Sequence, residues 1–335
     1  MEQMFLSTAL EFKEINTFEP GAWINLVNPS QEESVSLAEQ FNIDITDLRA
    51  PLDLEETSRI SVEDDYTLII VDVPTYEERN NKSYYVTIPL GIIVTDNAVI
   101  TTCLQELTLF DNFFNRRVKN FYTFMKTRFV FQLLYRNAEL FLTALRSIDR
   151  QSDRIEAELE NATRNEQLID MMELEKSIVY LKASLKFNER IVKKLSSSTS
   201  SLKKYIEDED LLEDTLIETQ QAIEMAGIYE NVLNAMTETT ASIINNNQNT
   251  IMKTLALMTM ALDIPTVIFS AYGMNFQNNW LPLNGLPHAF WYIVFIAAAM
   301  SLSVVFYFFR RNGLTLPISV ATTVANRNTE ESIRI

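Results

Sequence analysis

Residues 251–275 read IMKTLALMTMALDIPTVIFSAYGMN, and the fold turns on what that stretch is. From Ile251 to Tyr272 it is a nearly unbroken apolar run of roughly twenty residues, the length of helix that crosses about 30 Å of hydrocarbon. A second run of the same kind covers Ala289 to Phe309. A buried core helix of a soluble protein is the alternative for either run, and at this length it is the weaker one. Lys253 opens the first run, Arg310 and Arg311 close the second, and the connecting stretch Asn275 to His288 has neither Lys nor Arg. The positive-inside bias then puts both termini in the cytoplasm of a multi-pass protein of the cell (inner or plasma) membrane. Trp280, Trp291 and Tyr292 gather near the outer boundary, where interfacial aromatics sit.

The first run is not uniformly apolar. It holds Asp263, Thr266 and Ser270, and at about 100° per residue these share one helix face. Carried backwards, the same line passes within about 60° of Thr259, Ala256, Met252, Asn249, Asn245, Ser242 and Glu238. A carboxylate at membrane depth is costly unless it meets water, a cation or a partner, and beyond Lys253 neither run has a basic residue to pair with it. Thr266 and Ser270 alone could be interhelical hydrogen-bonding groups, and Asp263 could stay protonated inside a bundle. An acid in register with cytoplasmic amides instead suggests a wet pathway. One stripe cannot enclose a channel, so several copies must surround an axis.

The rest of the chain differs in character. Its 45 acidic and 28 basic side chains give a net charge of −17, which argues against nucleic acid and favours cations as partners. Cys103 is the only cysteine; it excludes an internal disulfide and reads as a small buried apolar residue. With His288 the only histidine, neither a zinc-type ligand cluster nor a His-based catalytic triad is expected in one chain. The segment MEQMFLSTALEF has no basic leader before an apolar core, so no cleaved signal peptide is expected. No Gly-rich loop with a following Lys-Ser/Thr is present to bind ATP, and an enzyme is not expected.

The fold class is α+β. Up to about residue 105, β-like runs at Trp23–Val27, Tyr66–Val73, Tyr84–Val94 and Ala98–Cys103 alternate irregularly with a helix whose start, Ser30-Gln31-Glu32-Glu33, spells a capping box. This predicts a mixed α/β cytoplasmic domain over residues 1–125. After Pro89 there is no proline until Pro265, and after Gly91 only Gly227 interrupts the glycine-free stretch before Gly273. Residues 126–250 are therefore read as long antiparallel helices forming a stalk. Breaks are expected near Asn161–Asn165 and Ser196–Ser201, and the last helix is expected to run from about Asp208 into the membrane. The membrane helices are placed at 251–272 and 289–309 around an extracellular loop at 273–288. A cytoplasmic tail follows at 310–335, polar and aperiodic from Asn312 and read as lacking fixed structure.

The first membrane run ends Tyr272-Gly273-Met274-Asn275. Here the chain resembles the CorA magnesium-transporter family, whose hallmark is Gly-Met-Asn, generally after Tyr, at the end of the first of two C-terminal membrane helices. The likeness extends upstream through Asn249-Thr250-Ile251-Met252-Lys253-Thr254-Leu255 and Pro265. It implies a homopentameric funnel in a lipid bilayer that passes Mg²⁺, with Co²⁺ and Ni²⁺ as competing divalent cations. Gly273, Met274 and Asn275 would form the selectivity filter. Mg²⁺ sheds water reluctantly, and a ring of Asn275 amides suits a hydrated ion held through its waters. Gly273 is expected to leave the helix with backbone geometry other residues resist. Met252 and Leu255 resemble the family's hydrophobic constriction and Asn249 a polar ring below it. Leu255 lies about 80° off the stripe, yet Ala256 is too small to close a pore, so Leu255 is the preferred gate.

Two departures stand out. Asp263 occupies a place where members often carry Met, and the outer loop Gln277 to Pro287 lacks both the usual Met-Pro-Glu-Leu and any acidic residue. Ion delivery from outside would then rely on Asn275, Gln277, Asn278 and Asn279. The resemblance also implies that Mg²⁺ is a regulatory ligand bound between cytoplasmic domains. Asp214 and Asp210, in the acidic run Glu207–Asp214, are candidate ligands, with Glu77 and Glu78 as cross-subunit partners; a solvated acidic helix start is the alternative for each. Zn²⁺ transport by a related branch is a competing function, though that branch usually departs from Gly-Met-Asn. A membrane-anchored coiled-coil sensor or scaffold is another, and it leaves Asp263 and its stripe unexplained.

Overall fold

The computed structural model describes residues 2–7, 12–79, 82–159, 166–197, 206–274 and 286–312. Seven strands, β1 (Glu2–Ser7), β2 (Phe12–Ile15), β3 (Ala22–Val27), β4 (Arg59–Val62), β5 (Tyr66–Arg79), β6 (Lys82–Thr95) and β7 (Ala98–Cys103), form one sheet in the order β2-β1-β3-β7-β6-β5-β4. The β3–β7 pair is parallel and the other described pairs are antiparallel, so the sheet is mixed as the sequence predicts. Among the described residues seven α-helices accompany it: α1 (Gln31–Phe41), α2 (Ile45–Arg49), α3 (Asp111–Phe114), α4 (Lys126–Leu159), α5 (Glu166–Ser196), α6 (Ile206–Tyr272) and α7 (Ala289–Asn312). The expected break at Asn161–Asn165 and the tail beyond Asn312 lie outside the described residues, and of the break expected at Ser196–Ser201 only Ser196, where α5 ends, and Ser197 are described.

Both faces of the sheet are covered, which is why its strands read as continuous apolar runs. Ile24, Leu26, Leu68, Ile70, Ile93 and Ile100 point to one face and pack with Leu37, Ala38 and Leu48 of α1 and α2. Their neighbours Trp23, Ile69, Val71, Ile92 and Val99 point to the other and pack with Phe129 and Leu133 of α4, Ile191 and Leu195 of α5 and Leu212 of α6. Trp23 anchors that second face. Its indole N–H donates to Thr101 Oγ1 at 2.8 Å, and its ring meets those of Phe5, Phe110, Phe113, Phe114 and Phe129.

The helix starts follow local chemistry. Ser30 and Glu33 close the capping box on α1, each side chain accepting from the other's backbone N–H. At the start of α4, Lys126 Nζ donates to the carbonyls of Thr95 and Asp96, both at 2.6 Å, tying the helix to the β6–β7 turn. Burial pushes this amine below its ordinary value, with Asp96 opposing the shift.

Beyond the sheet, α4, α5 and α6 share a core of Phe141, Leu145 and Ile148, Leu174, Ile178 and Leu181, and Ala222, Ala226 and Leu233. Gly227, the isolated glycine of the helical region, lies beside Lys182 of α5, whose Nζ pairs with Glu230; a Cβ there would meet Lys182 Nζ at an ordinary 3.6 Å.

The chain divides into two compact units, Met1–Ser242 and Ile243–Ile335. The second contains the last part of α6 and all of α7. Both helices are long and apolar enough to cross a membrane. They meet through a hydrogen bond from Ser301 Oγ to Ala261 O, and Leu257 and Ala297 are 8 % and 1 % exposed.

Candidate functional site

In the second unit α6 has two contrasting sides. Leu257 is buried, and Thr254, Ala261, Ile264, Pro265, Ile268 and Tyr272 are partly covered; at about 100° per residue they lie on one side, the side that meets α7. Roughly opposite, within about 60° of Asp263, are Asn245, Asn249, Met252, Ala256, Thr259, Asp263, Thr266 and Ser270, all exposed or half-exposed. The residues expected to line a pathway are thus the ones α7 leaves uncovered. Leu255 is 56 % exposed and Met252 64 %, so both candidate constriction residues are free to face a neighbour or an axis. Glu238 and Ser242, in the first unit, are also accessible.

Two hydroxyls on this side, those of Thr259 and Thr266, point their protons inward. Thr259 Oγ1 donates to Leu255 O at 3.0 Å and Thr266 Oγ1 to Leu262 O at 2.8 Å. Each therefore offers oxygen lone pairs outward and no proton. Between them stands Asp263, exposed on the same side. Thr259, Asp263 and Thr266 thus present a short run of oxygen acceptors, a chemistry suited to the water shell of a cation.

At the outer end the structure differs from the sequence expectation. Gly273 has no left-handed backbone; its N–H continues the helical pattern, donating to Phe269 O at 2.9 Å and Ser270 O at 3.1 Å. A Cβ there would meet Phe269 O at 3.4 Å, an ordinary contact, so neither space nor backbone geometry demands glycine at this position. Met274 follows as an exposed bend residue. Asn275 and the loop through Gly285 lie outside the described residues.

The acidic candidates of the first unit are spread out. Asp210 and Asp214 are exposed on α6, and Glu77 and Glu78 are exposed on β5 opposite Tyr84 and Ser83 of β6. Among the described residues no three His, Cys, Asp or Glu side chains stand together to hold a metal. Asp214 and Glu218 lie near Tyr135, whose phenol is pushed up mainly by burial, with Glu139, Glu218 and Asp214 adding to the shift. What the sequence did not reveal is Ser301 of α7, which no motif marks.

Comparison with known proteins gives the family and the fold. Residues 20–311 match the family model described as CorA-like Mg2+ transporter protein. The cobalt/magnesium transport protein CorA of Methanocaldococcus jannaschii is 29 % identical over 305 residues, 87 % of this chain and 90 % of that protein. A magnesium transport protein CorA of Helicobacter pylori is 22 % identical over 303 residues, again 87 % and 90 % of the two chains. Among solved structures, the complete CorA magnesium transporter from M. jannaschii superposes with a TM-score of 0.73 at 25 % identity, covering 94 % of this chain and 99 % of that one.

Proposed function

We propose, from the premise that this chain belongs to the CorA-like Mg²⁺ transporter family, that it is one subunit of a homopentameric channel passing hydrated Mg²⁺ into the cytoplasm. Members of that family are membrane transporters, not enzymes, and the two long apolar helices fit that membership. The observation that carries the channel reading is the exposure of Asp263 on the side of α6 turned away from α7. A lone carboxylate facing lipid is costly, and copies of α6 around a water-filled axis remove that cost.

In this reading Glu238, Asn245, Asn249, Met252, Ala256, Thr259, Asp263, Thr266 and Ser270 line the pathway, with Met252 and Leu255 as its narrow apolar part. Gly273, Met274 and Asn275 form the filter, whose amide oxygens accept hydrogen bonds from the waters of the ion. Residues 1–125 and 126–250 make up the cytoplasmic α/β domain and stalk, 251–272 and 289–309 the spans, 273–288 the outer loop and 310–335 a cytoplasmic tail. The M. jannaschii relative is named for cobalt and magnesium transport, and Co²⁺ is a competing ion here. A potential of roughly 100 mV, inside negative, supplies about 4.6 kcal/mol for a doubly charged ion, enough to drive uptake without ATP. Cytoplasmic Mg²⁺ closes the channel by neutralising Asp210 and Asp214 of one subunit against Glu77 and Glu78 of the next.

The test is Mg²⁺ flux into liposomes holding purified protein, beside Asn275→Ala. Wild type conducts and the variant, inserted to the same level, does not. Equal flux in the two removes the filter assignment, and no flux in either removes the channel.

A further inference from the structure

Pro265 lies inside α6 and has no amide hydrogen, so the carbonyl four residues earlier, Ala261 O, loses the donor that an uninterrupted helix would give it. Within hydrocarbon a carbonyl left in that condition is costly, and a hydroxyl from a neighbouring helix is one of the few available remedies. Ser301 of α7 supplies it: its Oγ lies 2.5 Å from Ala261 O. Two residues on, Ser303 does what serine usually does in a helix and donates to Ala299 O of its own turn at 2.7 Å. Ser301 reaches across instead. One turn before it is Ala297, 1 % exposed, whose small side chain lets the two backbones approach.

We infer that Ser301 is a positioning residue for the ion pathway: its hydroxyl fills the backbone gap made by Pro265 and so fixes the rotation of α6 about its own axis. Ala261 and Asp263 are two residues apart, about 200° around the helix. A bond that pins Ala261 toward α7 therefore holds Asp263 on the opposite side. Thr266, beside the proline, donates its hydroxyl to Leu262 O and not to the orphaned Ala261 O. The transport consequence rests on the reading of α6 as the wall of the pathway; the bond itself does not.

A double-substitution cycle tests this with two readouts, the thermal midpoint of the detergent-solubilised protein and the half-saturating Mg²⁺ concentration for flux into liposomes. Ser301→Ala lowers the midpoint by about 2–4 °C and raises half-saturation about fivefold, the size of one net hydrogen bond. Pro265→Ala restores the missing N–H, and in that background Ser301→Ala changes neither readout. Ser301→Thr keeps wild-type values, whereas Ser301→Val, of the same size as the threonine variant, behaves like Ser301→Ala. An equal loss in the wild-type and Pro265→Ala backgrounds, or a valine as good as threonine, overturns the inference. Should Pro265→Ala not assemble, the threonine and valine pair decides alone. If wild type passes no Mg²⁺ while the midpoints still follow the cycle, the channel reading falls and the bond stands.

Discussion

Asn188 of α5 holds Asp72 of β5 by both of its main-chain groups. Its Oδ1 accepts from the Asp72 N–H at 3.0 Å and its Nδ2 donates to the Asp72 carbonyl at 2.8 Å, as a neighbouring strand would. Such a substitute is needed because β4 pairs with β5 only from Thr67 to Ile70, and Asp72 lies beyond its end. Asn137 of α4 adds a second donor to the same carbonyl at 2.8 Å. Two helices are thereby registered on the sheet.

Asn188→Leu keeps the side-chain branching and removes both bonds, together with the one Asn188 Oδ1 accepts from Ser58 Oγ at 3.4 Å. The carbonyl retains Asn137, but the N–H of Asp72 has no replacement, so a loss of about 1–3 kcal/mol is expected. Thermal unfolding of the purified protein measures it, and Asn137→Leu should cost less because it leaves Asn188 in place.

Asp263→Leu should cut Mg²⁺ flux at least about tenfold, since an apolar ring in mid-membrane removes the acceptors that replace bulk water. Asp263→Asn keeps the oxygen and loses the charge, and is expected to fall between the two. A leucine variant conducting like wild type would show that the stripe faces something other than ions.

Asp210→Asn with Asp214→Asn should leave basal flux intact and weaken its inhibition by Mg²⁺ on the cytoplasmic side. Titrating Mg²⁺ on that side of reconstituted channels reads the shift directly. An unchanged inhibition curve would return these residues to the role of a solvated helix start.

Cys103 is 0 % exposed and burial pushes its thiol up to about 12, with Glu106 adding to the shift and a hydrogen bond to the Gln105 backbone opposing it. A group whose folded value is raised contributes stability that is complete below its unfolded value, near 9.0, and that fades as pH climbs toward about 12. The protein should therefore lose stability across that alkaline window. At a pH of about 8, below the unfolded value, a maleimide should label Cys103 only as fast as the native state opens.

Much of this was legible in the chain. The capping box placed α1, the gap in prolines between Pro89 and Pro265 announced the long helices, and Asp263 with its hydroxyl neighbours marked the side of α6 that α7 leaves bare. Strands β1, β2 and β4 were missed: two have only four residues, and EQMFLS reads as an unremarkable leader until the backbone of β3 is beside it. Strands β5 and β6 extend to Arg79 and from Lys82, past the apolar cores at Tyr66–Val73 and Tyr84–Val94, because polar, exposed strand ends carry no alternation to read. Gly273 was expected to break the backbone and instead completes a helical turn. The orphan carbonyl of Ala261 could be deduced from Pro265, but its donor, forty residues later at Ser301, could not.

The inward-turned hydroxyls have an electrical consequence. In the proposed pathway the stretch of Thr259, Asp263 and Thr266 presents lone pairs and a carboxylate, which favours cations over chloride there. In that reading no counter-ion accompanies the cargo, and every Mg²⁺ that enters carries two uncompensated positive charges in with it. In a sealed vesicle that current must die within moments unless potassium can leak the other way.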